Sequence, residues 1–442
     1  MLDLKYSSIL KVALPLMVSS FIQAVVLITD TAFLSRYNTI SFDAAGNAGL
    51  IYITLFMALV GMSDGSQILI ARRIGQQKIE AIGRIFGTSV FTLLGLSIFF
   101  YFILNHIIPD GILEYSKHLD IAKEECDFLE IRSYALFFTF ISLSIQAFFF
   151  ATGKTWVVLV SSIITAFSNI LLDYFLIFGE SIFPEMGLKG AALASTLAEG
   201  IGAAFLLIYL LSSKMKKEYQ LFSYFTFNLK SFKELIKIGN PIMLQGILAL
   251  GTWTIFFFWI EQMGKFELTV SQNIRSIYFL AFIPIWGFST TTKTYISQYL
   301  GSGDFEALKI IQRRIQLLTS MFLGVIILIT IFFPYEFISM INPEEAYLEK
   351  SRSILFFISG STFLFGIFSV YFQTINGSGH TIVTFTIELI CVGIYLISAY
   401  ILIKIIEVDI FWVWSVEYIY FISMGILSYG YLKLFDWKNK IV

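Results

Sequence analysis

The chain has 442 residues, 57% of them hydrophobic and only 14% charged, with 47 phenylalanines and a mean hydropathy of +0.79. Soluble domains carry about 25% charged residues, so this composition excludes a water-exposed globular protein. Net charge is −1, which gives no bulk field to attract nucleic acid. Two cysteines, Cys126 and Cys391, exclude a disulfide framework or a four-cysteine metal site, and they are expected as two separate thiols.

Met1 to Tyr6 runs straight into a long apolar segment with no small-residue cleavage site, so the first segment is expected to be retained rather than removed as a signal peptide. Apolar stretches of about 20 residues, enough to cross a ~30 Å hydrocarbon layer, then recur to the C-terminus. Charge clusters and Gly/Pro breaks place about twelve spans, near 8–35, 45–71, 81–108, 126–151, 156–179, 188–213, 232–262, 270–298, 307–333, 350–375, 381–405 and 409–435. The fold class is therefore an all-α integral membrane protein. Spans longer than 20 residues must tilt, bend or project. Nineteen of the 30 basic residues fall in loops on one side and eight on the other. That bias puts both termini in the cytoplasm.

The most informative feature along the chain is an internal repeat. Leu14-Pro15-Leu16-Met17 is answered by Asn240-Pro241-Ile242-Met243, and Ile51-Tyr52 by Ile277-Tyr278. Gly61 is answered by Gly287, Ile74-Gly75 by Leu300-Gly301, and Gly153-Lys154-Thr155 by Gly379-His380-Thr381. Every pair is separated by 226 positions. Six helices therefore duplicate as six in the same orientation, a parallel repeat typical of secondary transporters that handle substrate between their halves. The expected lobes are 1–213 and 232–442, joined by a basic cytoplasmic linker, 214–231, read as a solvated loop.

A shared skeleton makes the differences between halves readable. Asp30, Asn169, Asp173 and Glu199 lie within apolar spans of the first half, and their counterparts 226 positions on are Phe256, Tyr395, Ala399 and Gly425. A carboxylate in the bilayer interior costs ~3 kcal/mol or more, so it persists where it pairs, binds an ion or lines water. Helical rise puts Asp30, Asp173 and Ser195 at a similar depth, roughly 8–10 Å below one membrane face. Asn169 and Asp173, four apart, share a helix face. Three spans thus offer oxygen ligands at one level, with Thr196 and Glu199 at the periphery. Two nearby carboxylates in low dielectric cannot both stay ionised without a cation. Either one keeps a proton or Na⁺ is held by Asp30, Asn169, Asp173 and a hydroxyl such as Ser195. Pro15 removes a helical hydrogen bond and marks a bend in the first span.

These residues resemble a known family. LPLMVSSFIQAVVLITDTAFLSR, with Pro15 fifteen residues before Asp30, is similar to the first helix of multidrug and toxic compound extrusion (MATE) transporters. Ser168 to Gly179, SNILLDYFLIFG, resembles the family's fifth helix, and Gly190-Ala191-Ala192-Leu193-Ala194-Ser195 the start of its sixth. The resemblance implies a twelve-helix, two-lobe efflux antiporter of the plasma (inner) membrane. It implies that Asp30, Asn169 and Asp173 bind H⁺ or Na⁺. Some members also use acids of the seventh and tenth helices. Here the stretch after Pro241 offers Gln245 and no acid before Glu261, and Ser351 to Ile375 holds none, which argues for coupling through the first lobe alone.

Elsewhere Glu388 is a candidate second polar station for substrate, and Arg275 and Lys293 either line a cavity or snorkel to the interface. Gly153-Lys154-Thr155 resembles the tail of a phosphate-binding loop but has Phe148 where that loop needs glycine, so nucleotide binding is rejected. His106, His118 and His380 are scattered without metal-ligand spacing. The expectation is therefore no enzyme and no cofactor, a monomer with a small organic, amphipathic and cationic substrate, the lipid bilayer as surroundings, and H⁺ or Na⁺ as coupling ion. A flippase for lipid-linked sugars is the runner-up, and a membrane-embedded enzyme a distant third because no nucleophile or metal set is evident.

Overall fold

In the computed structural model, which describes residues 1–116, 118–180 and 182–438, the described residues form helices and short connections with no strand. Lys117 and Lys440, which enter the charge asymmetry, lie outside the described residues. Twelve long helices follow one another: α1 (Tyr6–Tyr37), α2 (Thr39–Gly75), α3 (Ile79–Phe102), α4 (Leu119–Thr152), α5 (Thr155–Phe178), α6 (Gly187–Ser212), α7 (Leu229–Glu261), α8 (Lys265–Ser302), α9 (Phe305–Phe332), α10 (Glu345–Gly377), α11 (Thr381–Tyr400) and α12 (Val416–Leu434). Eleven of the helical stretches among the described residues are long and apolar enough to cross a membrane. The exception is α8, which is 38 residues long but carries polar groups such as Ser271, Asn273, Lys293 and Gln298 along a buried face.

Local chemistry sets the helix ends. Asn38 caps α2 by accepting from the Ile40 amide at 2.8 Å, as expected for an N-cap side chain. Gly153 and Gly379 lie at equivalent repeat positions, with φ of 74° and 84°. Each ends the fourth helix of its half in the left-handed conformation that glycine adopts without steric cost. Packing repeats in the same register: α2 lies on α4 and α8 on α10, α4 on α6 and α10 on α12, and α5 on α6 and α11 on α12.

Helix α5 shows how a membrane reverses ordinary amphipathicity. Ile163, Phe167, Leu171 and Tyr174 are exposed at helical spacing, while Ala166, Asn169, Asp173, Leu176 and Ile177 are buried. The apolar face can meet lipid because hydrocarbon replaces water outside, and the polar face turns into the bundle.

The chain divides into two compact units, one of Leu14–Met243 and the other of Met1–Ala13 with Leu244–Val442. These boundaries differ from the lobes 1–213 and 232–442 expected from the sequence, because the chain changes unit inside α1 and α7 rather than at the basic linker. The contacts explain why. Residues 229–243 join the first unit through an Arg73–Glu234 ion pair at 2.8 Å and through glycines, since a Cβ at Gly65 would meet the Gly239 backbone. The Asn228 amide donates to Thr88 Oγ1 at 3.1 Å. In the second unit, Tyr295 Oη donates to the Asp3 carbonyl at 3.0 Å and Tyr299 Oη to the Leu2 carbonyl at 2.7 Å. Arg314 Nη1 donates to the Leu4 carbonyl at 2.6 Å. Pro15 and Pro241 sit inside continuous helices, each within two residues of the place where the chain changes unit.

Candidate cation site

The first unit gathers the predicted polar residues. Helix α5 can lie close on α6 because of Gly190, where a Cβ would meet the Leu176 carbonyl. Small residues permit such backbone approach in membrane helices, which accounts for the Gly190-Ala191-Ala192 motif. That contact sets Ser195 opposite α5, and Asn169 Nδ2 donates to Ser195 Oγ at 3.2 Å. Asp173 is fully buried and Asn169 nearly so. Asp173 lies near Asp30 of α1, with Asn169 one turn away on α5.

Asp30 Oδ1, both Asp173 oxygens and Asn169 Oδ1 are buried and have no hydrogen-bond donor. Buried polar atoms are ordinarily satisfied, so an unsatisfied cluster calls for an explanation such as an ion or proton. Ionised carboxylates accept but cannot donate. A proton shared between the two acids, or a small cation among their oxygens, would satisfy these atoms. Asp30, Asp173, Asn169 and Ser195 together form a hard oxygen set suited to an alkali cation. No group of three or more His, Cys, Asp or Glu residues among the described residues could hold a metal ion, which does not bear on a site of two acids, an amide and a hydroxyl.

An apolar cluster lies next to this set. Phe33 and Phe178 meet edge to face at 5.8 Å and Tyr37 lies 6.3 Å from Phe178. Leu34, Ala44, Ile177, Leu188 and Ala191 form the core beneath them. Phe33 follows Asp30 by about one helical turn, so this cluster packs along α1 next to the site.

The peripheral candidates separate. Thr196 turns back to its own helix, donating to the Ala192 carbonyl at 2.8 Å. Glu199 is ion-paired with Arg132 on α4, Nη2 to Oε1 at 2.6 Å, and its other oxygen accepts from Thr139 at 3.2 Å. Arg132 is buried, its guanidinium stacked 4.2 Å from the Tyr52 ring centre. Sequence reasoning missed Arg132. Its signal was a lone guanidinium six residues inside one span, with an unpartnered glutamate, Glu199, inside another span two helices on.

The second unit answers with a different arrangement. Glu388 on α11 is buried and accepts from Tyr420 Oη at 2.6 Å. Glu417, at the start of α12, is buried too and accepts from Tyr278 at 3.0 Å and Tyr395 at 3.1 Å. Glu417 was also missed by sequence reasoning, since the repeat comparison followed the acids of the first half. Phe256 and Trp414 pack on this group edge to face, 5.7 Å apart. Arg275 lies over the Phe257 ring at 4.8 Å, and Lys293 is buried on α8. A separate cavity of about 1100 Å³ lies against α9 and α10, lined by Leu328, Phe356, Phe363, Phe411 and Arg352 among others, without either glutamate.

Comparison with known proteins agrees with this architecture. The chain is 26% identical over 417 residues to the probable multidrug resistance protein NorM of Thermotoga maritima, covering 92% of this chain and 87% of that protein. It is 24% identical over 441 residues to the probable multidrug resistance protein YoeA of Bacillus subtilis, covering 96% and 93%. In fold it is similar to a variant of the Vibrio cholerae MATE transporter VcmN, with a TM-score of 0.86 at 16% identity over 98% of both chains. It is similar also to a MOP superfamily transporter from Pyrococcus furiosus, with a TM-score of 0.85 at 17% identity over 96% of this chain and 94% of that one. The MatE family model matches twice, over residues 15–175 and 241–401, in the same 226-residue register as the internal repeat. Matched across both halves, this multi-pass membrane protein belongs to the MatE family of multidrug and toxic compound extrusion transporters.

Proposed function

We propose that the protein exports amphipathic, cationic organic compounds across the plasma (inner) membrane in exchange for H⁺ or Na⁺, the ion binding at Asp30, Asn169, Asp173 and Ser195. The observation that carries this reading is the set of four buried, donorless oxygens on α1 and α5. The multidrug-resistance names of its relatives support export as the direction of transport. The carboxyl pair carries up to two negative charges into an apolar bundle, and that state is costly until a cation arrives. Binding or release of the ion therefore changes which state of the transporter is favoured, and a difference in affinity between two states is what exchange requires. Rocking of the two six-helix halves, with both termini cytoplasmic and the protein acting as a monomer, completes the scheme. Asn169 fixes Ser195 and lies against Asp173, so it orients the ligands rather than carrying charge.

The test is efflux of a fluorescent organic cation from everted membrane vesicles, driven separately by a pH gradient and by a Na⁺ gradient. Wild type is expected to respond to at least one gradient, and Asp30→Asn and Asp173→Asn to fall to background. Full gradient-driven transport in both variants would overturn the assignment.

A further inference from the structure

Arg132 occupies an unusual position. One guanidinium nitrogen, Nη2, is committed to Glu199, whereas Nη1 is buried with no acceptor. An arginine whose purpose is to clasp a carboxylate normally uses its fork bidentately, and a buried donor left open is costly. Glu199, its partner, lies one turn along α6 from Ser195, which Asn169 holds at 3.2 Å, so the guanidinium sits about one helical turn from the ion site. The first unit therefore holds acceptors without donors on α1 and α5, and beside them a cation on α4 with a donor to spare. The charged and titratable groups around that guanidinium are Asp30, Tyr52, Asp173 and Glu199. Glu125, on α4 itself, is already held by Asn47 at 2.8 Å.

Resting on the ion-exchange reading above, we propose that Arg132 is a tethered counter-cation of the Asp30–Asp173 pair, swinging its guanidinium toward the pair when the exchanged ion has left and back to Glu199 when an ion binds. Three features make this work. Glu199 keeps the Thr139 hydroxyl within reach at 3.2 Å when the guanidinium leaves, and that proton, shared with the Ala135 carbonyl at 3.0 Å, can then turn to the glutamate. The Tyr52 ring offers a face on which a guanidinium can pivot without losing its cation–π contact. An arginine also stays charged throughout, so it can balance the emptied pair but can never be exported in place of the ion. Its function is to let the ion-free protein return without a bare double charge, and its consequence is competition with the transported cation.

The experiment measures, in proteoliposomes of the purified full chain, the driving-cation concentration for half-maximal transport of a fluorescent organic cation, and the maximal rate. Arg132→Gln removes the competitor, so the half-maximal concentration is expected to fall about ten-fold while the maximal rate also falls. Glu199→Gln frees Arg132 to stay on the pair, so the half-maximal concentration is expected to rise, the opposite sign. Arg132→Lys keeps the charge and is expected to restore most of the maximal rate. The double variant Arg132→Met with Glu199→Met separates the readings. A mere clasp between α4 and α6 would regain wild-type values when both charges go, whereas a tethered cation leaves the double variant with the low half-maximal concentration of Arg132→Gln. Equal shifts in Arg132→Gln and Glu199→Gln, or wild-type behaviour of the double variant, overturn the proposal. Asp30→Asn and Asp173→Asn run in parallel. If these lose transport while the Arg132 variants keep the wild-type half-maximal concentration, the tethered cation fails and the ion site stands; if they keep transport, the ion site itself fails.

Discussion

The polar centres of the two halves stand on one skeleton, and one is open where the other is closed. At equivalent repeat positions, Asp30 is replaced by Phe256, Asn169 by Tyr395, and Arg132 by Ile358, while Tyr52 is retained as Tyr278. In the first half four buried oxygens lack donors. In the second, Glu417 receives two tyrosine hydroxyls and Glu388 one, with Phe256, Tyr395 and Trp414 packed as a core. A buried acid is thus not by itself a transport site. A site needs acceptors that the protein has declined to satisfy, because those are the atoms that an arriving cation can hold. The tyrosines of the second half take the role that the proposed ion would take in the first.

That comparison can be broken most sharply at its strongest point. Asp173→Asn removes a carboxyl whose two oxygens both lack donors, and gradient-driven transport is expected to drop more than ten-fold, measured by vesicle efflux. The same change in the other half, Glu417→Gln, is expected to keep coupling, because one of Tyr278 and Tyr395 still has an oxygen to donate to and the other can accept from the new amide NH2. Loss of coupling there would erase the distinction between open and closed centres.

Next in size is the helix contact that assembles the open centre. Gly190→Leu forces a side chain against the Leu176 carbonyl, and over-packing of this kind costs about 1–3 kcal/mol. A lower unfolding temperature together with lost transport is expected in detergent-solubilised protein. Wild-type melting and transport would show that α5 and α6 have room that the structure does not give them. A smaller effect comes from Tyr278→Phe, which takes away one of two donors to Glu417. Leaving a buried acceptor short of a partner costs about 1–3 kcal/mol, so thermal stability should fall with the coupling ratio unchanged. Smallest is Thr196→Ala, since that hydroxyl donates mainly to its own helix at 2.8 Å, with only a longer 3.4 Å contact to the Ile131 carbonyl of α4. Transport within about two-fold of wild type is expected in the vesicle assay, and a larger loss would return Thr196 to the site.

Much of this was legible in the sequence, for physical reasons that also mark where legibility ended. Asp30, Asn169, Asp173 and Ser195 stood out because each is a polar residue in an apolar span at a depth fixed by helical rise, and the structure brings them together. The repeat was legible because glycines and prolines punctuate both halves at constant spacing. Arg132 was hidden because the comparison of halves followed the acids: it lies six residues inside the span near 126–151, just behind the charged run Lys123, Glu124, Glu125, Asp127 and Glu130. The chain's change of unit within α1 and α7 was also illegible, because it depends on contacts such as Gly65 with Gly239, which no local pattern announces. The extent of α8 across its polar stretch is set by tertiary burial rather than by hydropathy.

The central claim is that the exchanged cation is held by the open centre and not by the closed one. It is tested most directly by comparing two double variants in proteoliposomes under an imposed cation gradient: Asp30→Asn with Asp173→Asn, and Glu388→Gln with Glu417→Gln. The account predicts that the first pair abolishes gradient-driven uptake of an organic cation while the second keeps it. Retained uptake in the first pair, with loss in the second, would contradict it.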